Sequence, residues 1–342
     1  MRIQENISLK EFTKFRIGGM ARYYVAAKEP EDVRDAVVFA KEHSLEYVIL
    51  AGGSNVLVSD SGFDGVVIHI QLYNMYWQED EAILIADAGV SWDTVVEESV
   101  KKNFFGLENL SGIPGSVGGA TVGNIGAYGC EVKDTITWVE AFDPETMSLV
   151  RLMQSECHFA YRHSIFKEQK KKELIVLRVA FQLESEGALI RDYKDVAKYE
   201  EEAGEITTLI EMRTAILAIR AVKFPKDNSV GTAGSYFKNP VVTAEFAKEF
   251  SLRYPNAPIH TTDDGMKKLS AAWIIDHVLH LRGSRDGDVG TWESQALVLI
   301  NYGDAQAKDI SLFAKNIIDA CYKETGVILT PEVVTIGEIM NE

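Results

Sequence analysis

The chain has 342 residues, of which 46% are hydrophobic and 25% are charged, a balance typical of a globular protein with two or three domains. Its net charge of −16 at pH 7 argues against nucleic acid and anionic membranes as partners, because the field of the chain would repel both. The three cysteines, Cys130, Cys157 and Cys321, form no C-x-x-C pair, so we expect neither disulfides nor a thiolate metal site.

The N-terminal sequence MRIQENISLKEF carries charges and lacks the apolar core of a secretory signal. No apolar run approaches the length that a membrane-spanning helix needs. We therefore expect a cytoplasmic protein.

The first third of the chain predicts alternating strands and helices. Strands are expected at 21–27, in YVILAGG, at 66–70 and in AILIADAG. Pro30 is expected to open one helix and Ser91 to cap another. The helical spacing of apolar residues supports both helices: Val33, Ala36, Val37 and Ala40 in the first, and Trp92, Val95, Val96 and Val100 in the second.

The rest of the chain predicts β-rich segments followed by an α+β lobe. The strands TITWVEAFD and LIVLRVAFQLE are joined through FAYRHSIFK, and the polar residues 184–203 predict a loop or short helices. A helix is expected from about Ile206 to Val222, before a domain junction at Phe224-Pro225. The last third predicts a turn-rich strand segment GTAGSYFKNP, helices near 243–253 and 266–279, an apolar strand ALVLIN, and an amphipathic helix from Ala305 to Lys323.

Glycine is concentrated in one segment, with eight of the 26 glycines lying between Gly106 and Gly129, and a shorter loop AGGSN ends at Asn55. Closely spaced glycines allow several backbone N–H groups to point into one concavity, which suits a phosphate or pyrophosphate. The chain contains neither G-x-G-x-x-G nor a glycine followed by lysine, which excludes the Rossmann fingerprint and the P-loop. The segment predicts a large anionic cofactor in another scaffold, or else a set of ordinary tight turns.

Three polar residues could carry chemistry, and each also has an ordinary structural explanation. Arg162, in YRHSIFK, has the forked guanidinium that suits a carboxylate, but it also suits a surface salt bridge. Ser235, in AGSYFKNP, could face a ligand or only satisfy a turn. Glu332 follows an apolar run and could be partly desolvated or fully solvated.

Two further arrangements are set aside. His277 and His280 form an H-x-x-H at a helix end, and packing or capping is favoured over zinc because no third ligand lies nearby in the sequence. Ser54, Ser116 and Ser235 each follow a glycine, but none completes the G-x-S-x-G of a serine hydrolase.

Nine strings of the sequence resemble those of a known family, in family order and over nearly the whole length: FRIGG, LAGGSNVLV, GLENLSGIPGSVGGA, NIGAYG, YRHSIFK, AGSYFKNP, KLSAAWIID, QALVLIN and PEV. Through them the chain resembles the UDP-N-acetylenolpyruvoylglucosamine reductase family, flavin enzymes of bacterial cell-wall synthesis. The resemblance implies an α+β chain with an FAD-binding fold of the vanillyl-alcohol-oxidase (PCMH) type in two subdomains, 1–72 and 73–223, followed by a substrate-binding domain, 224–342.

The resemblance also implies which residues hold FAD. The cofactor is expected to be non-covalent, because the two glycine segments contain no histidine for attachment. Arg220 matches a residue that faces the flavin. The other implied FAD contacts are Gly52, Gly53, Ser54, Asn55, Gly112, Pro114, Gly115, Ser116, Gly118, Gly119, Asn124, Gly126 and Tyr128.

The implied reaction has two halves and ends in UDP-N-acetylmuramate, a peptidoglycan precursor. NADPH reduces FAD, and hydride then passes from the flavin to the β carbon of the enolpyruvyl group of the UDP-N-acetylglucosamine ether. Arg162 supplies positive charge, Glu332 helps to polarise and order the group, and Ser235 donates the proton to the α carbon. Substrate contacts are implied for Tyr161, Tyr193, Lys223, Asn239, Lys268 and Gln295, with Tyr193 on an additional loop found in one branch of the family. A monomer without bound metal is expected.

Two other functions remain open at this point. A flavin oxidase that acts on an alcohol or sugar would share the FAD-binding lobes but would not require AGSYFKNP or the terminal PEV. A non-catalytic nucleotide-sugar binder would keep the fold without taking up FAD.

Overall fold

The structure is a computed structural model that describes residues 1–168, 174–226, 229–262 and 264–339. The chain divides into two compact units, and each is assembled from separate stretches of sequence. The first unit comprises Met1–Ile7, Ala21–Gly52 and Asp64–Ala221, and the second comprises Ser8–Met20, Gly53–Phe63 and Val222–Glu342. The three-part division at residues 72 and 223 stays a prediction.

Nineteen strands lie within the described residues. They are β1 (Ile3–Ser8), β2 (Met20–Ala27), β3 (Tyr47–Leu50), β4 (Val56–Val58), β5 (Phe63–Ile70), β6 (Met75–Gln78), β7 (Ile83–Asp87), β8 (Gly126–Ala127), β9 (Cys130–Glu131), β10 (Ile136–Asp143), β11 (Ser148–Met153), β12 (Ile175–Gln182), β13 (Val241–Val242), β14 (Ile259–Thr261), β15 (Lys267–Leu269), β16 (Arg285–Asp286), β17 (Val289–Trp292), β18 (Gln295–Asn301) and β19 (Val334–Ile336).

The α-helices are α1 (Pro30–Glu42), α2 (Trp92–Lys101), α3 (Val117–Gly123), α4 (Lys194–Ala203), α5 (Leu209–Lys223), α6 (Ala244–Arg253), α7 (Ala271–Trp273) and α8 (Ala307–Thr325). Six single 3₁₀ turns (Lys10–Phe12, Glu79–Glu81, Glu108–Leu110, Val132–Asp134, Gln154–Cys157 and Ile165–Lys167) and a π turn (Ile274–Val278) complete the set for the described residues. In that part of the chain, none of the helices combines the length and apolar character that a bilayer-spanning segment requires.

The first unit is built on two sheets. A four-stranded sheet has the order β1-β2-β5-β3, and β3 pairs parallel with β5 so that Leu50 stands opposite His69. A five-stranded sheet has the order β11-β10-β12-β7-β6, with antiparallel pairs throughout. Trp92 and Phe181 are fully buried in the core, and their rings meet edge to face with centroids 5.8 Å apart. The sheets thus provide a rigid base from which β3 leads into one glycine loop and α2 leads toward the other.

The second unit centres on the apolar strand β18 and the helix α8. Strand β18 pairs with β17, and β16 completes a three-stranded antiparallel sheet. Helix α8 packs its buried face, including Ile310, Ala314 and Ile317, into the core of this unit. Strand β19 pairs parallel with β4. The N-terminal stretch 8–20 and the loop 53–63 therefore fold with the C-terminal third of the chain.

Several predicted elements are confirmed and two need correction. The expected helix over 266–279 is wrong in its first part, because 267–269 form β15 between β13 and β14. The helix begins after Ser270, whose Oγ accepts the N–H of Trp273 at 3.2 Å, and its second part is a π turn. Ser91 occupies the cap position of α2 but makes no side-chain capping bond; its backbone instead bridges to Ser116.

Candidate cofactor and active-site residues

Two glycine loops meet in the first unit. A Cβ added to Gly52 would lie 3.0 Å from the Cα of Gly115, so the loops approach at backbone distance. Among the hydrogen bonds of the described residues, none uses the amide N–H of Gly52, Gly115 or Ser116 as a donor. A cluster of backbone donors at a close approach of two loops fits the phosphates of a dinucleotide such as FAD.

Gly119 gives a second test of that fit. It lies in the first turn of α3, where its N–H donates to Ser116 Oγ at 3.4 Å. A Cβ at Gly119 would contact only that oxygen, at 3.8 Å. Nothing among the described residues requires a glycine here, although glycine weakens a helix. An exposed backbone without a side chain leaves room for a ligand to pass close to it. Gly118, whose amide donates to Ala88 O, brings α3 against the end of β7.

Arg220 joins both ends of the glycine-rich segment. Its Nε donates to the carbonyl of Gly112 at 3.0 Å, and its guanidinium hydrogen-bonds the hydroxyl of Tyr128. Burial lowers the pKa of Arg220, and burial raises the pKa of Tyr128 to about 12, so Tyr128 is a neutral phenol at physiological pH. The pair therefore brings a half-buried cation to the segment that is predicted to hold FAD. Pro114 lies exposed in the same loop.

Arg162 is held by the turn that follows α3. Its Nη2 donates to the carbonyl of Gly126 at 3.0 Å and its Nη1 to that of Asn124 at 3.4 Å. Arg162 itself adopts φ +54°, in the left-handed region that favours glycine. Such backbone conformations are found at functional sites more often than elsewhere. The guanidinium also lies 5.8 Å from the ring centre of Tyr161.

Asn124 organises the surroundings of Arg162. It caps the C-terminus of α3 at φ +40° and is fully buried. Its Nδ2 donates to Ala160 O (2.9 Å) and Glu131 Oε2 (3.0 Å), while its Oδ1 accepts from Lys133 N (3.2 Å). The side chain, which is predicted to lie near FAD, thus holds together the turn whose carbonyls accept from Arg162.

Tyr193 lies at the start of α4 and is 44% exposed. Its ring meets that of Tyr128 edge to face, with centroids 5.4 Å apart. The loop before it is tied to the glycine-rich segment by Asn109, whose Nδ2 donates to Tyr128 O and Ile190 O, both at 2.9 Å. The first unit thus brings Tyr161, Tyr193, Arg162 and Arg220 around the segment 112–129.

Ser235 belongs to a strand-like segment of the second unit that is held by its backbone. Isolated bridges join Ser235 to Val298 and Phe237 to Pro331. The amide of Tyr236 donates to Leu297 O at 2.8 Å, and its carbonyl accepts the N–H of Glu332 at 2.7 Å. The segment 231–237 therefore lies between β18 and the stretch that carries Glu332. Ser235 and Glu332 are both half-buried.

The first glycine loop continues into residues that bond to the stretches carrying Glu332 and Ser235. Asn55 Nδ2 donates to Glu332 O at 3.2 Å, and Asn55 O accepts the N–H of Val334 at 3.0 Å. Gly53 O accepts the N–H of Lys14, whose own carbonyl accepts the N–H of Thr232. The predicted cofactor residues Gly53, Ser54 and Asn55 are therefore built into the same unit as Ser235 and Glu332.

The remaining predicted substrate residues also lie in the second unit. Asn239 Oδ1 accepts the N–H of Ala271 at 3.0 Å, and β13, two residues on, pairs with Lys268 of β15. Gln295 begins β18, three residues before Val298. Lys223 ends α5.

The H-x-x-H pair has an ordinary structural role. His277 lies in the π turn and stacks on Trp273, with ring centres 4.9 Å apart and planes at 7°. Across the described ranges, no group of three or more His, Cys, Asp and Glu side chains is arranged to hold a metal ion.

Sequence reasoning missed the residues that hold the glycine-rich segment by long-range contacts. Asn109 lies in the string GLENLSG, but only the fold shows that it binds the backbone at Tyr128 and Ile190. Asp93 and Arg213 carry no motif at all, and their 120-residue separation leaves no local signal.

Comparison with known families assigns both parts of the chain. A family model described as an FAD binding domain matches residues 21–151. A second, described as UDP-N-acetylenolpyruvoylglucosamine reductase, C-terminal domain, matches residues 225–336.

Curated relatives match over almost the whole chain. The UDP-N-acetylenolpyruvoylglucosamine reductase of Pseudomonas syringae pv. syringae (strain B728a) is 37% identical over 335 residues, covering 97% of this chain and 98% of the relative. That of Neisseria meningitidis serogroup B (strain MC58) is 37% identical over 320 residues and covers 92% of both. The crystal structure of the Thermus caldophilus reductase of the same name matches with a TM-score of 0.70 at 25% identity, covering 98% of this chain and 100% of that one.

Proposed function

The chain belongs to the UDP-N-acetylenolpyruvoylglucosamine reductase family, and from this premise we propose that it reduces the enolpyruvyl ether of UDP-N-acetylglucosamine with electrons from NADPH. The product is UDP-N-acetylmuramate, a precursor of peptidoglycan. The observation that carries the proposal is the meeting of two glycine loops in an FAD-binding domain, with the N–H groups of Gly52, Gly115 and Ser116 donating to no described acceptor.

FAD is the cofactor that these loops hold, together with Arg220 and the other predicted FAD residues. When bound, it supplies hydride chemistry that no amino-acid side chain offers. The exposed backbone at Gly119 and the half-buried cation of Arg220 support this assignment, because both suit a large anionic ligand laid along the loops. Attachment is non-covalent.

Arg162 holds the carboxylate of the enolpyruvyl group. As the β carbon gains hydride, negative charge develops at the α carbon and spreads into that carboxylate. A fixed positive charge stabilises this charge most when it is oriented beforehand, because no reorganisation is then needed. The bonds from Arg162 to the carbonyls of Asn124 and Gly126 provide such orientation.

Ser235 donates the proton that completes the reaction at the α carbon. Hydride on the β carbon and a proton on the α carbon together saturate the double bond, and NADPH becomes NADP⁺. A proton from solvent then restores the Ser235 hydroxyl. A serine hydroxyl is a weak acid, but the carbanion that it meets is strongly basic, so the transfer can run downhill. Glu332 helps to order the group, and its backbone is bonded to the residue after Ser235.

The other predicted residues bind the rest of the substrate. Lys223, Asn239, Lys268 and Gln295 hold the substrate or its diphosphate, and Tyr161 and Tyr193 are further substrate contacts. We further propose that the protein is a cytoplasmic monomer that acts in cell-wall biogenesis and, through it, in cell shape and division.

The test is product formation by the purified FAD-loaded protein. Incubation with NADPH and the enolpyruvyl ether should consume equal amounts of both and give a product heavier by two hydrogens in mass spectrometry. Consumption of NADPH with oxygen uptake and no change in the ether would instead identify an oxidase. A protein that binds the ether but never takes up FAD would be a nucleotide-sugar binder.

A further inference from the structure

At the start of the second glycine loop, both backbone polar groups of Gly112 are hydrogen-bonded to side chains. The amide of Gly112 donates to Asp93 Oδ1 at 2.6 Å, and its carbonyl accepts from Arg220 Nε at 3.0 Å. Gly112 has φ +68°, and a Cβ there would lie 2.7 Å from Leu217 Cδ2. The left-handed backbone favours glycine at this position, and the hydrogen bonds of its N–H and C=O fix the direction in which the loop 112–116 leaves it.

Asp93 is itself held by a second arginine of α5. Arg213 Nη1 and Nη2 donate to Asp93 Oδ1 and Oδ2 at 2.7 and 2.8 Å, in a two-pronged pair. Burial would raise the pKa of Asp93, but the bonds from Arg213 and from Gly112 outweigh it and hold that pKa below its usual range. Arg213 and Arg220 are seven residues apart, two turns along the same helix face.

The first turn of α2 also fixes the far end of the loop. The amide of Trp92, the neighbour of Asp93, donates to Gly115 O at 3.1 Å, and Ser91 bridges to Ser116. Helix α2 therefore holds the loop at Gly112, Gly115 and Ser116. Arg213 clamps α2 to α5 through Asp93.

We propose that Asp93 and Arg213 are positioning residues for FAD, which shape the loop 112–116 before the cofactor arrives. Ordering a loop during binding costs free energy, so a loop already in its bound shape binds more tightly. This inference rests on the proposed function, since it takes FAD as the ligand of the loop. It assigns to the pair a role in cofactor affinity and none in contacting substrate.

The experiment compares FAD affinity among four forms of the apoprotein. Wild type, Asp93→Ala, Asp93→Asn and Glu98→Gln are titrated with FAD by flavin fluorescence, and each is checked by circular dichroism and thermal unfolding. Asp93→Ala should raise Kd by roughly 10-fold or more, the usual scale for losing a hydrogen bond to a charged group. The Kd of Asp93→Asn should lie between those of wild type and Asp93→Ala, because asparagine keeps an acceptor for Gly112 but loses the charge that faces Arg213.

Glu98→Gln is the matched control. Glu98 lies in the second turn of α2, is partly exposed and pairs with Lys101 at 3.0 Å, so neutralising it changes the charge of the helix without touching the loop. Its Kd should equal that of wild type.

A lower melting temperature in folded Asp93→Ala with an unchanged Kd would overturn the inference, since the pair would then be structural only. If Asp93→Ala does not fold, Asp93→Asn and Arg213→Lys decide in the same way: an unchanged Kd overturns the inference and a raised Kd supports it. Wild-type protein that fails to bind FAD would reject the proposed function, and this inference with it.

Discussion

The two segments that carry most of the predicted site are held in opposite ways. The segment 112–129 of the first unit is shaped by side chains of Asp93, Asn109, Asn124 and Arg220 that bond to its backbone or cap its helix. The segment 231–237 of the second unit is shaped by backbone pairing with β18 and with residues 330–332. Side-chain substitutions should therefore disturb the conformation of the first segment, while in the second a substitution of Ser235 should change chemistry alone.

Ser235→Ala is the largest expected effect and the sharpest test of the second segment. Reoxidation of reduced flavin by the enolpyruvyl substrate should slow by roughly 10²–10⁴, the scale for losing a general acid. Flavin reduction by NADPH and the melting temperature should not change, because backbone bonds hold the segment. Stopped-flow measurement of the two half-reactions decides, with Ser251→Ala on α6 as control. Equal slowing of both halves would remove Ser235 from its role.

Arg162→Ala tests the residue that the first segment holds for catalysis. Loss of a fixed charge should slow the same half-reaction by roughly 10²–10³. Arg162→Lys should recover only part of the lost rate, because an ammonium keeps the charge but lacks the fork that binds both carbonyls and a carboxylate. Single-turnover rates with saturating substrate measure this. An alanine variant with wild-type turnover would place Arg162 outside the site.

Asn124→Ala should destabilise the protein, because it loosens the segment 112–129. The change removes three buried hydrogen bonds and places alanine in the left-handed region, at a combined cost on the order of 3 kcal/mol. The free energy of unfolding, from urea denaturation, measures it. Asn103→Ala is the control, since Asn103 is exposed at φ +60° and its loss should cost only about 1 kcal/mol. Equal costs would show that the Asn124 side chain does not hold the segment.

Gly119→Ala should have the smallest effect on stability, and it should stabilise the protein rather than destabilise it. A Cβ fits beside Ser116 Oγ, so the apoprotein should gain about 0.5–1 kcal/mol as the helix loses a glycine. FAD affinity should nevertheless fall, because the methyl group occupies the face along which the cofactor lies. Gly123→Ala, at the other end of α3, should stabilise without weakening FAD. Unchanged FAD affinity in Gly119→Ala would place the cofactor elsewhere.

The sequence predicted most of the regular elements and the fold. Strands such as β2, β10 and β18 and helices such as α1 and α6 are confirmed, because their apolar periodicity is local and strong. An FAD-binding fold of the vanillyl-alcohol-oxidase type followed by a C-terminal α+β domain is also confirmed. Boundaries were less accurate: the helix expected from Ala305 begins at Ala307, where Gln306 and Asp309 form a capping box.

What the sequence could not predict depends on contacts between distant positions. The stretch 8–20 joins the C-terminal unit through bonds such as Lys14 O to Thr232 N, which no local pattern signals. Asn124 and Tyr128 were found through the string NIGAYG, but their left-handed backbones and their partners follow only from the packed structure. The roles of the site residues remain predictions that the variants above test.

The most direct measurement is an anaerobic spectral titration of the purified protein loaded with FAD. NADPH should bleach the flavin absorbance, and the UDP-linked enolpyruvyl ether should then restore it, one equivalent for each flavin. A protein that stays colourless after incubation with FAD would contradict the account, as would a bleached flavin that recovers in air but not with the ether.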